Sequence, residues 1–272
     1  MNILETPAIK GFVRLCSDAY ALGWHERNGG NLTYRMSESE VWACEDGFFP
    51  REWENIGVVA DNLVGEYFIV TGTGKYFRNV QLDPAANIGI VEISENGGKY
   101  RIVWGLEPDA KPTSELPSHL LNHSVKKAAT NGAHRVIYHA HTPNIIALTN
   151  VLPLNARDFS RVLWRSMPEC PIVFPAGVGV VPWMMPGGTE VAKASAELMK
   201  TYDAIVWAHH GLFASGRDFD ETFGLMHTVE KSAELHIKAL SCGQGIKQSM
   251  SDEQIREIAK AYNLNLNAGF LV

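Results

Sequence analysis

Arg135-Val136-Ile137-Tyr138-His139-Ala140-His141 is an apolar run that ends in two histidines, and it predicts a buried strand with polar groups at its end. Because side chains alternate along a strand, His139 and His141 are expected on the same face. A second apolar run at 203–208 predicts another strand, which leads into a loop that begins His209-His210-Gly211. Three imidazoles at two strand ends could hold one metal ion and leave a coordination position open, as in catalytic zinc sites. Strand alternation leaves open which of the two adjacent histidines is the ligand.

The overall composition is that of an ordinary globular protein. The chain has 272 residues, of which 46% are hydrophobic and 20% charged, and its formal net charge is −6. An acidic chain offers no general basic field for nucleic acid. Its four cysteines lie far apart without a CxxC pair, which argues against a disulfide framework and fits a reducing compartment. No signal peptide or membrane-spanning run is apparent, so a cytoplasmic location is expected, with neither membrane nor nucleic acid as partner.

Strand and helix patterns follow one another irregularly along the chain. Strands are also predicted at 32–35, 67–70, 88–93, 100–104 and 172–174, and helices at 9–22, 113–132, 189–200, 220–240 and 251–262. The helix at 113–132 is expected to be capped by Thr113 or Ser114. Residues 37–65 show no clean period and predict an irregular excursion with one strand at most. We therefore expect an α/β fold: a single domain over 1–272 with a central, largely antiparallel sheet covered by helices.

Three segments have the composition of anion-binding turns, namely Asn28-Gly29-Gly30-Asn31, Thr71-Gly72-Thr73-Gly74-Lys75 and Thr113-Ser114 at a helix start. Glycines let backbone N–H groups approach an anion, and Asn and Thr side chains donate hydrogen bonds. Either glycine-containing segment alone is better explained as an ordinary turn. Beside a metal site, the three together indicate a small phosphorylated substrate.

Several ionisable residues have two interpretations. Glu115, in the first turn of the predicted helix at 113–132, is either a partner for the helix dipole or a proton carrier beside the metal. Glu169, before the predicted strand at 172–174, has the same two interpretations. Glu230 and Glu234 are interpreted as a solvated helix face. Five further histidines are interpreted as structural or exposed, namely His119, His123, His134, His227 and His236.

The order and spacing of these motifs resemble the class II aldolases over nearly the whole chain, at 28–32, 68–91, 112–119, 136–148, 174–187 and 207–234. The resemblance implies a single α/β domain with a central antiparallel sheet. It implies one Zn²⁺ per subunit, with His139, His141 and His210 as ligands. It further implies a cyclic homotetramer with active sites at subunit interfaces. His209 departs from the family pattern, where an apolar residue is common, and residues 37–65 match poorly and receive no role.

The resemblance also implies a reaction. It is a zinc-dependent, reversible aldol cleavage of a ketose 1-phosphate, expected to be L-rhamnulose 1-phosphate, into dihydroxyacetone phosphate and L-lactaldehyde. The zinc would stabilise an enediolate, and Glu115 would exchange the proton at the carbon nucleophile. Glu169 corresponds to a second acidic residue supplied by a neighbouring subunit. The phosphate and substrate hydroxyls would be held by Asn28, Gly30, Asn31, Thr73, Gly74, Thr113 and Ser114.

Other functions within the same scaffold remain open at this stage. The chain could cleave fuculose 1-phosphate, which differs in hydroxyl stereochemistry, or could be a 4-epimerase of a pentulose phosphate. A non-catalytic, adducin-like scaffold is a third possibility. The presence of all three histidines and Glu115 argues against a scaffold, which has no need of that set.

Overall fold

A nine-stranded sheet organises residues 2–272, the part of the chain that the computed structural model describes. The strands are β1 Asn31–Arg35, β2 Glu54–Asn55, β3 Tyr67–Thr71, β4 Ile88–Ile93, β5 Lys99–Gly105, β6 Val136–Ala140, β7 Gly179–Val181, β8 Ala204–Trp207 and β9 Gly211–Gly216. Their order is β2–β5–β4–β3–β1–β6–β9–β8–β7. Neighbouring strands are antiparallel except β7 and β8, which are parallel. The prediction of a largely antiparallel central sheet is confirmed.

Helices cover both faces of this sheet. They are α1 Pro7–Ala21, α2 Glu38–Trp42, α3 Phe77–Val80, α4 Pro84–Asn87, α5 Leu116–Ala129, α6 Pro143–Leu148, α7 Ala156–Trp164, α8 Glu169–Val173, α9 Thr189–Met199, α10 Phe219–Ser241 and α11 Asp252–Ala261. Short 3₁₀ turns lie at Ile3–Glu5, Glu45–Gly47, Asp61–Leu63 and Ala268–Phe270. None of these helices is long and apolar enough to cross a membrane, within the residues described.

Strand alternation divides the core between the two faces. On β6, Val136 and Tyr138 pack into the cluster that includes buried residues of α1 and α10, whereas Ile137 packs with residues of α9 on the opposite face. Since His139 shares the face of Ile137, its ring lies on the α5 and α9 side of the sheet. Helix α11 begins with a capping box, in which the side chains of Ser251 and Gln254 each accept from the other's backbone N–H.

Three local predictions are wrong. The apolar run at 172–174 is not a strand: residues 169–173 form α8, which buries Cys170 against α7, α10 and α11. Gly211 does not open a loop but begins β9, which pairs with both β6 and β8. Neither Thr113 nor Ser114 is the N-cap of α5, since that position is occupied by Glu115. Each prediction relied on a run too short to reveal which neighbour it packs against.

Glu230 is also not part of a solvated face. Its side chain is buried on α10, and its carboxylate accepts hydrogen bonds from the backbone N–H groups of Asn144 and Ile145, both at 2.9 Å. These N–H groups belong to the first turn of α6, where no helical partner exists for them. Glu230 thus holds the start of a helix that begins two residues after His141. Glu234, by contrast, pairs with Lys231 and Lys238.

Candidate metal and substrate site

A cavity of about 190 Å³ opens at one end of β1 and β6, and it gathers residues that are far apart in the sequence. The predicted site residues all line it, with the exception of Glu169. The lining comprises Asn28, Gly29, Gly30, Asn31, Gly72, Thr73, Gly74, Thr113, Ser114, Glu115, His139, His141 and His210. The anion-binding segments and the histidine cluster therefore face one space.

Three imidazoles line this cavity. His139 is fully buried near the end of β6, His141 follows that strand, and His210 lies in the turn between β8 and β9. Each offers a ring nitrogen, and these three atoms lie within 4.8 Å of one another. His209 is directed elsewhere, since its Nδ1 lies 3.3 Å from Oγ1 of Thr149. The structure therefore brings His210, and not His209, to the other two histidines.

The Nδ1 hydrogen bonds of His139 and His141 leave the Nε2 atoms of these two rings for a cation. Nδ1 of His139 donates to the backbone oxygen of Leu212 at 3.1 Å, and Nδ1 of His141 donates to Oε1 of Glu26 at 2.6 Å. Such outer partners are typical of metal-ligating histidines. Nε2 of His139 lies 3.3 Å from Nε2 of His210. Tetrahedral Zn²⁺ with bonds of about 2.0–2.1 Å requires roughly the same separation between ligand atoms. The donor set fits a metal ion.

Burial keeps the rings of His139 and His210 in the neutral form that binds metals. It lowers the pKa of His139 well below its ordinary range, and the neighbouring His210 and His141 lower it further. Burial, followed by the proximity of His141, lowers the pKa of His210 to about 4. Neutral imidazoles present a lone pair, so the site needs no proton release from these two rings to accept a cation.

Glu115 lies beside the histidines rather than on the helix surface. Its Oε2 is 3.7 Å from Nε2 of His139 and accepts a hydrogen bond from Nδ2 of Asn31 at 2.8 Å. Burial raises the pKa of Glu115, and the hydrogen bond from Asn31 acts in the opposite direction. The carboxylate is therefore positioned to take and return a proton close to the cation site.

The turn at 28–31 is pressed against the imidazoles. A Cβ at Gly29 would lie 2.7 Å from Nδ1 of His141. A Cβ at Gly30, where φ is +74°, would lie 2.5 Å from Nδ1 of His25 and 2.7 Å from the backbone oxygen of His139. Only glycine fits such contacts, and the second position also requires its conformational freedom. The turn at 28–31 and the histidine cluster are thus packed as one unit.

Two residues at this site were missed by the sequence reasoning. Glu26 was given no role, and no local pattern links it to His141. His119 was interpreted as structural or exposed; it is buried, and the missed feature is the hydrogen bond from its Nε2 to Oδ1 of Asn31, which lines the cavity. A signal for His119 did exist, because Glu115, His119 and His123 are four residues apart and share one helix face. Glu169 lies at the exposed start of α8, outside the cavity lining.

Comparisons with known proteins agree with this geometry. A family model described as Class II Aldolase and Adducin N-terminal domain matches residues 10–237. The rhamnulose-1-phosphate aldolase of Klebsiella pneumoniae subsp. pneumoniae is 46% identical over 265 residues, covering 97% of this chain and 95% of that protein. The rhamnulose-1-phosphate aldolase of Escherichia coli O157:H7 is 45% identical over 264 residues, covering 97% of this chain and 96% of that protein.

Solved structures show the same architecture. A sugar-phosphate aldolase from Thermotoga maritima superposes with a TM-score of 0.75 at 29% identity, covering 88% of this chain and 97% of that one. An L-fuculose 1-phosphate aldolase superposes with a TM-score of 0.61 at 19% identity, covering 97% of this chain and all of that one (100%). The second likeness shows a shared fold alone.

Proposed function

Because this chain belongs to the class II aldolase and adducin family, we propose that it catalyses the reversible aldol cleavage of L-rhamnulose 1-phosphate to dihydroxyacetone phosphate and L-lactaldehyde. The two rhamnulose-1-phosphate aldolases compared above are 45–46% identical over 97% of the chain, which supports this substrate. The observation that carries the proposal is the single cavity in which three imidazoles, the buried carboxylate of Glu115 and polar turns converge.

The proposed cofactor is one Zn²⁺ per subunit, held by His139, His141 and His210. Three nitrogen ligands leave a coordination position for substrate, as in catalytic zinc sites. When bound, the ion supplies Lewis-acid stabilisation of the negative charge that develops on oxygen as the carbon–carbon bond breaks. The hydrogen bonds that the Nδ1 atoms of His139 and His141 donate to Leu212 and Glu26 fix these two imidazoles in the orientation that this requires.

The three anion-binding segments that line the cavity are proposed to bind the phosphate and the substrate hydroxyls. The backbone N–H groups of Gly74 and Ser114 make no hydrogen bond within residues 2–272, so both are available to an anion. Binding there would orient the ketose chain relative to the ion. The residues proposed for this role are Asn28, Gly30, Asn31, Thr73, Gly74, Thr113 and Ser114.

Two carboxylates are proposed to handle protons. Glu115 would exchange the proton at the carbon that becomes part of dihydroxyacetone phosphate, and Asn31 holds its Oε2 in place. Glu169 would act from a neighbouring subunit of a homotetramer, in keeping with its exposed position away from the cavity of its own chain. We place the reaction in the cytoplasm, which suits four cysteines that are all free thiols.

The test is release of dihydroxyacetone phosphate from L-rhamnulose 1-phosphate in an NADH-coupled assay, before chelation, after it and after zinc add-back. L-fuculose 1-phosphate and a pentulose phosphate serve as comparison substrates. Rapid release from L-rhamnulose 1-phosphate alone, lost on chelation and restored by zinc, is the expected result. Preference for L-fuculose 1-phosphate, or epimerisation of the pentulose phosphate without triose release, would contradict the proposal.

A further inference from the structure

A chain of buried polar side chains runs from Glu115 into the interior between α5 and the sheet. Oε2 of Glu115 accepts from Nδ2 of Asn31 at 2.8 Å, and Oδ1 of Asn31 contacts Nε2 of His119. Oγ1 of Thr33 then lies 2.8 Å from Nδ1 of His119 and 2.8 Å from Nε2 of His123. We call these five residues the buried histidine chain. Each of them is at most 7% exposed.

The chemistry of each partner determines where the hydrogens lie. Asn31 donates from Nδ2 to Oε2 of Glu115 and presents Oδ1 to Nε2 of His119. That oxygen can only accept, so His119 carries its hydrogen on Nε2. Burial lowers the pKa of His119 to about 3, so the ring is neutral and its Nδ1 is a bare acceptor. Nδ1 therefore accepts from the hydroxyl of Thr33, whose oxygen accepts from Nε2 of His123.

The chain has one direction and an unsatisfied end. Nδ1 of His123 is buried and has no hydrogen-bond partner within residues 2–272. Reversing Asn31 would place its oxygen against Oε2 of Glu115, so that neither oxygen would have a donor. The direction of all these hydrogen bonds is therefore tied to the one that Asn31 donates to Oε2 of Glu115.

We propose that His119, held by Thr33 and His123, is a positioning residue that locks the amide of Asn31 with Nδ2 toward Glu115. The lock fixes Oε2 of Glu115. It leaves Oε1, which makes no hydrogen bond within residues 2–272, to exchange a proton with the substrate carbon. The inference deepens the proposed aldolase function and rests on it for this last step. The arrangement of hydrogens along the buried histidine chain is independent of that function.

The hydrogen arrangement can be observed directly by neutron diffraction from crystals of the deuterated, zinc-loaded protein. Deuterium is expected on Nε2 of His119 and of His123, with Nδ1 of both rings bare and the Asn31 amide nitrogen facing Glu115. Deuterium on Nδ1 of His119, or the Asn31 oxygen facing Glu115, would overturn the inference. This measurement needs no variant and no catalytic activity.

The functional part is tested with Thr33→Val, which removes the hydroxyl and keeps the shape, and with Thr33→Ser, which keeps the hydroxyl. The readout is solvent deuterium incorporation into dihydroxyacetone phosphate, measured together with KM and zinc content. We expect exchange to slow about 10–100-fold in Thr33→Val, with zinc content and KM unchanged, and to return within about threefold of wild type in Thr33→Ser. The matched control is Thr222→Val, because Thr222 is a buried threonine of α10 that does not belong to the buried histidine chain.

The outcomes separate the inference from the proposed function. Wild-type exchange in Thr33→Val, or equally slow exchange in both Thr33 variants, would overturn the positioning role while leaving the aldolase function intact. Absence of exchange in the wild-type protein would contradict the proposed function instead. The neutron map would then still decide the direction of the chain.

Discussion

Oε1 of Glu26 lies 2.6 Å from Nδ1 of His141, although 115 residues separate the two in sequence. The contact leaves Nε2 of His141 directed at the space shared with His139 and His210. A carboxylate in this position sets the tautomer of the imidazole and increases its basicity toward a metal. Glu26 is therefore connected to the proposed zinc site without being one of its ligands.

We expect Glu26→Ala to weaken zinc binding about 10–100-fold, because the variant loses the group that orients His141. Competition with a chromophoric chelator measures the zinc dissociation constant. Glu197→Ala removes an exposed carboxylate that pairs only with Lys200 among its ion-pair contacts and serves as the control. Equal zinc affinity in Glu26→Ala and Glu197→Ala would contradict the assignment.

His139→Ala is expected to lose zinc and activity together, since two remaining imidazoles hold the ion poorly. His209→Asn should retain both, because His209 faces Thr149 and asparagine tolerates the positive φ of +59° at this position. Zinc content by elemental analysis and turnover are measured for both variants. A zinc-replete His139→Ala protein would refute the proposed ligand set.

Glu115→Gln is expected to keep zinc and the folded structure but to lose turnover by about 10²–10⁴-fold, the usual range for a positioned acid or base. The amide keeps an oxygen that can accept from Asn31, so packing is disturbed little. Turnover and the circular dichroism melt are the measurements. Near-normal turnover would mean that the carboxylate serves only as a partner for the dipole of α5.

Glu230→Ala should destabilise the protein, because it leaves the backbone N–H groups of Asn144 and Ile145 buried without their acceptor. Each unsatisfied group costs about 1–3 kcal/mol. Glu230→Gln, which keeps one acceptor oxygen, is expected to fall between wild type and Glu230→Ala in urea unfolding. The same free energy of unfolding for Glu230→Ala and wild type would show that water or another group replaces the carboxylate.

Asp252 predicts a pH dependence of stability. Burial alone would raise its pKa, but the N–H of Val272 and the guanidinium groups of Arg165 and Arg161 outweigh burial and lower the pKa to about 2. The folded protein thus keeps Asp252 ionised in a range where the unfolded chain, with an ordinary pKa of 3.8, takes up a proton. Its stabilisation is complete above pH 3.8 and is lost as the pH falls toward 2.

We therefore expect Asp252→Asn to melt below wild type at pH 7, with a cost of about 1–3 kcal/mol from the lost charged hydrogen bonds. The difference should shrink between pH 4 and 2. Thermal melts of both proteins across this range make the comparison, and metal loss at low pH affects both alike. A difference that stays constant down to pH 2 would contradict the depressed pKa.

Local patterns in the sequence predicted the strands that carry the site, because alternation in 135–141 and the apolar run at 203–208 are properties of neighbouring residues. The same reasoning failed where the packing partners of a segment determine its secondary structure. At 172–174 three apolar residues fit either period, and Val173 is in fact exposed on α8. Gly211 was interpreted as a loop signal, whereas glycine is required there because a Cβ would lie 2.2 Å from the backbone oxygen of Ala140.

The site itself was predicted only in part for a related reason. Residue type suggested His139, His141 and Glu115, and the family resemblance selected His210 over His209. Neither could reveal the contact between Glu26 and His141, since it depends on how the turn at 28–31 is seated against the end of β6. The buried histidine chain likewise depends on the rotation of α5 over β1, although the spacing of four residues was visible.

Asn31, His139 and Phe213 lie directly opposite one another on the adjacent strands β1, β6 and β9. The hydrogen bonds of the sheet thus fix where Asn31 and His139 stand in the cavity, and where Phe213 stacks on the ring of His139. Inserting or deleting one residue within these strands would turn every following side chain to the opposite face and dismantle the site at once. Changes of length can be accommodated only in the connections between strands, such as residues 37–65, so the spacing of these three strands is as much a catalytic requirement as the residues they carry.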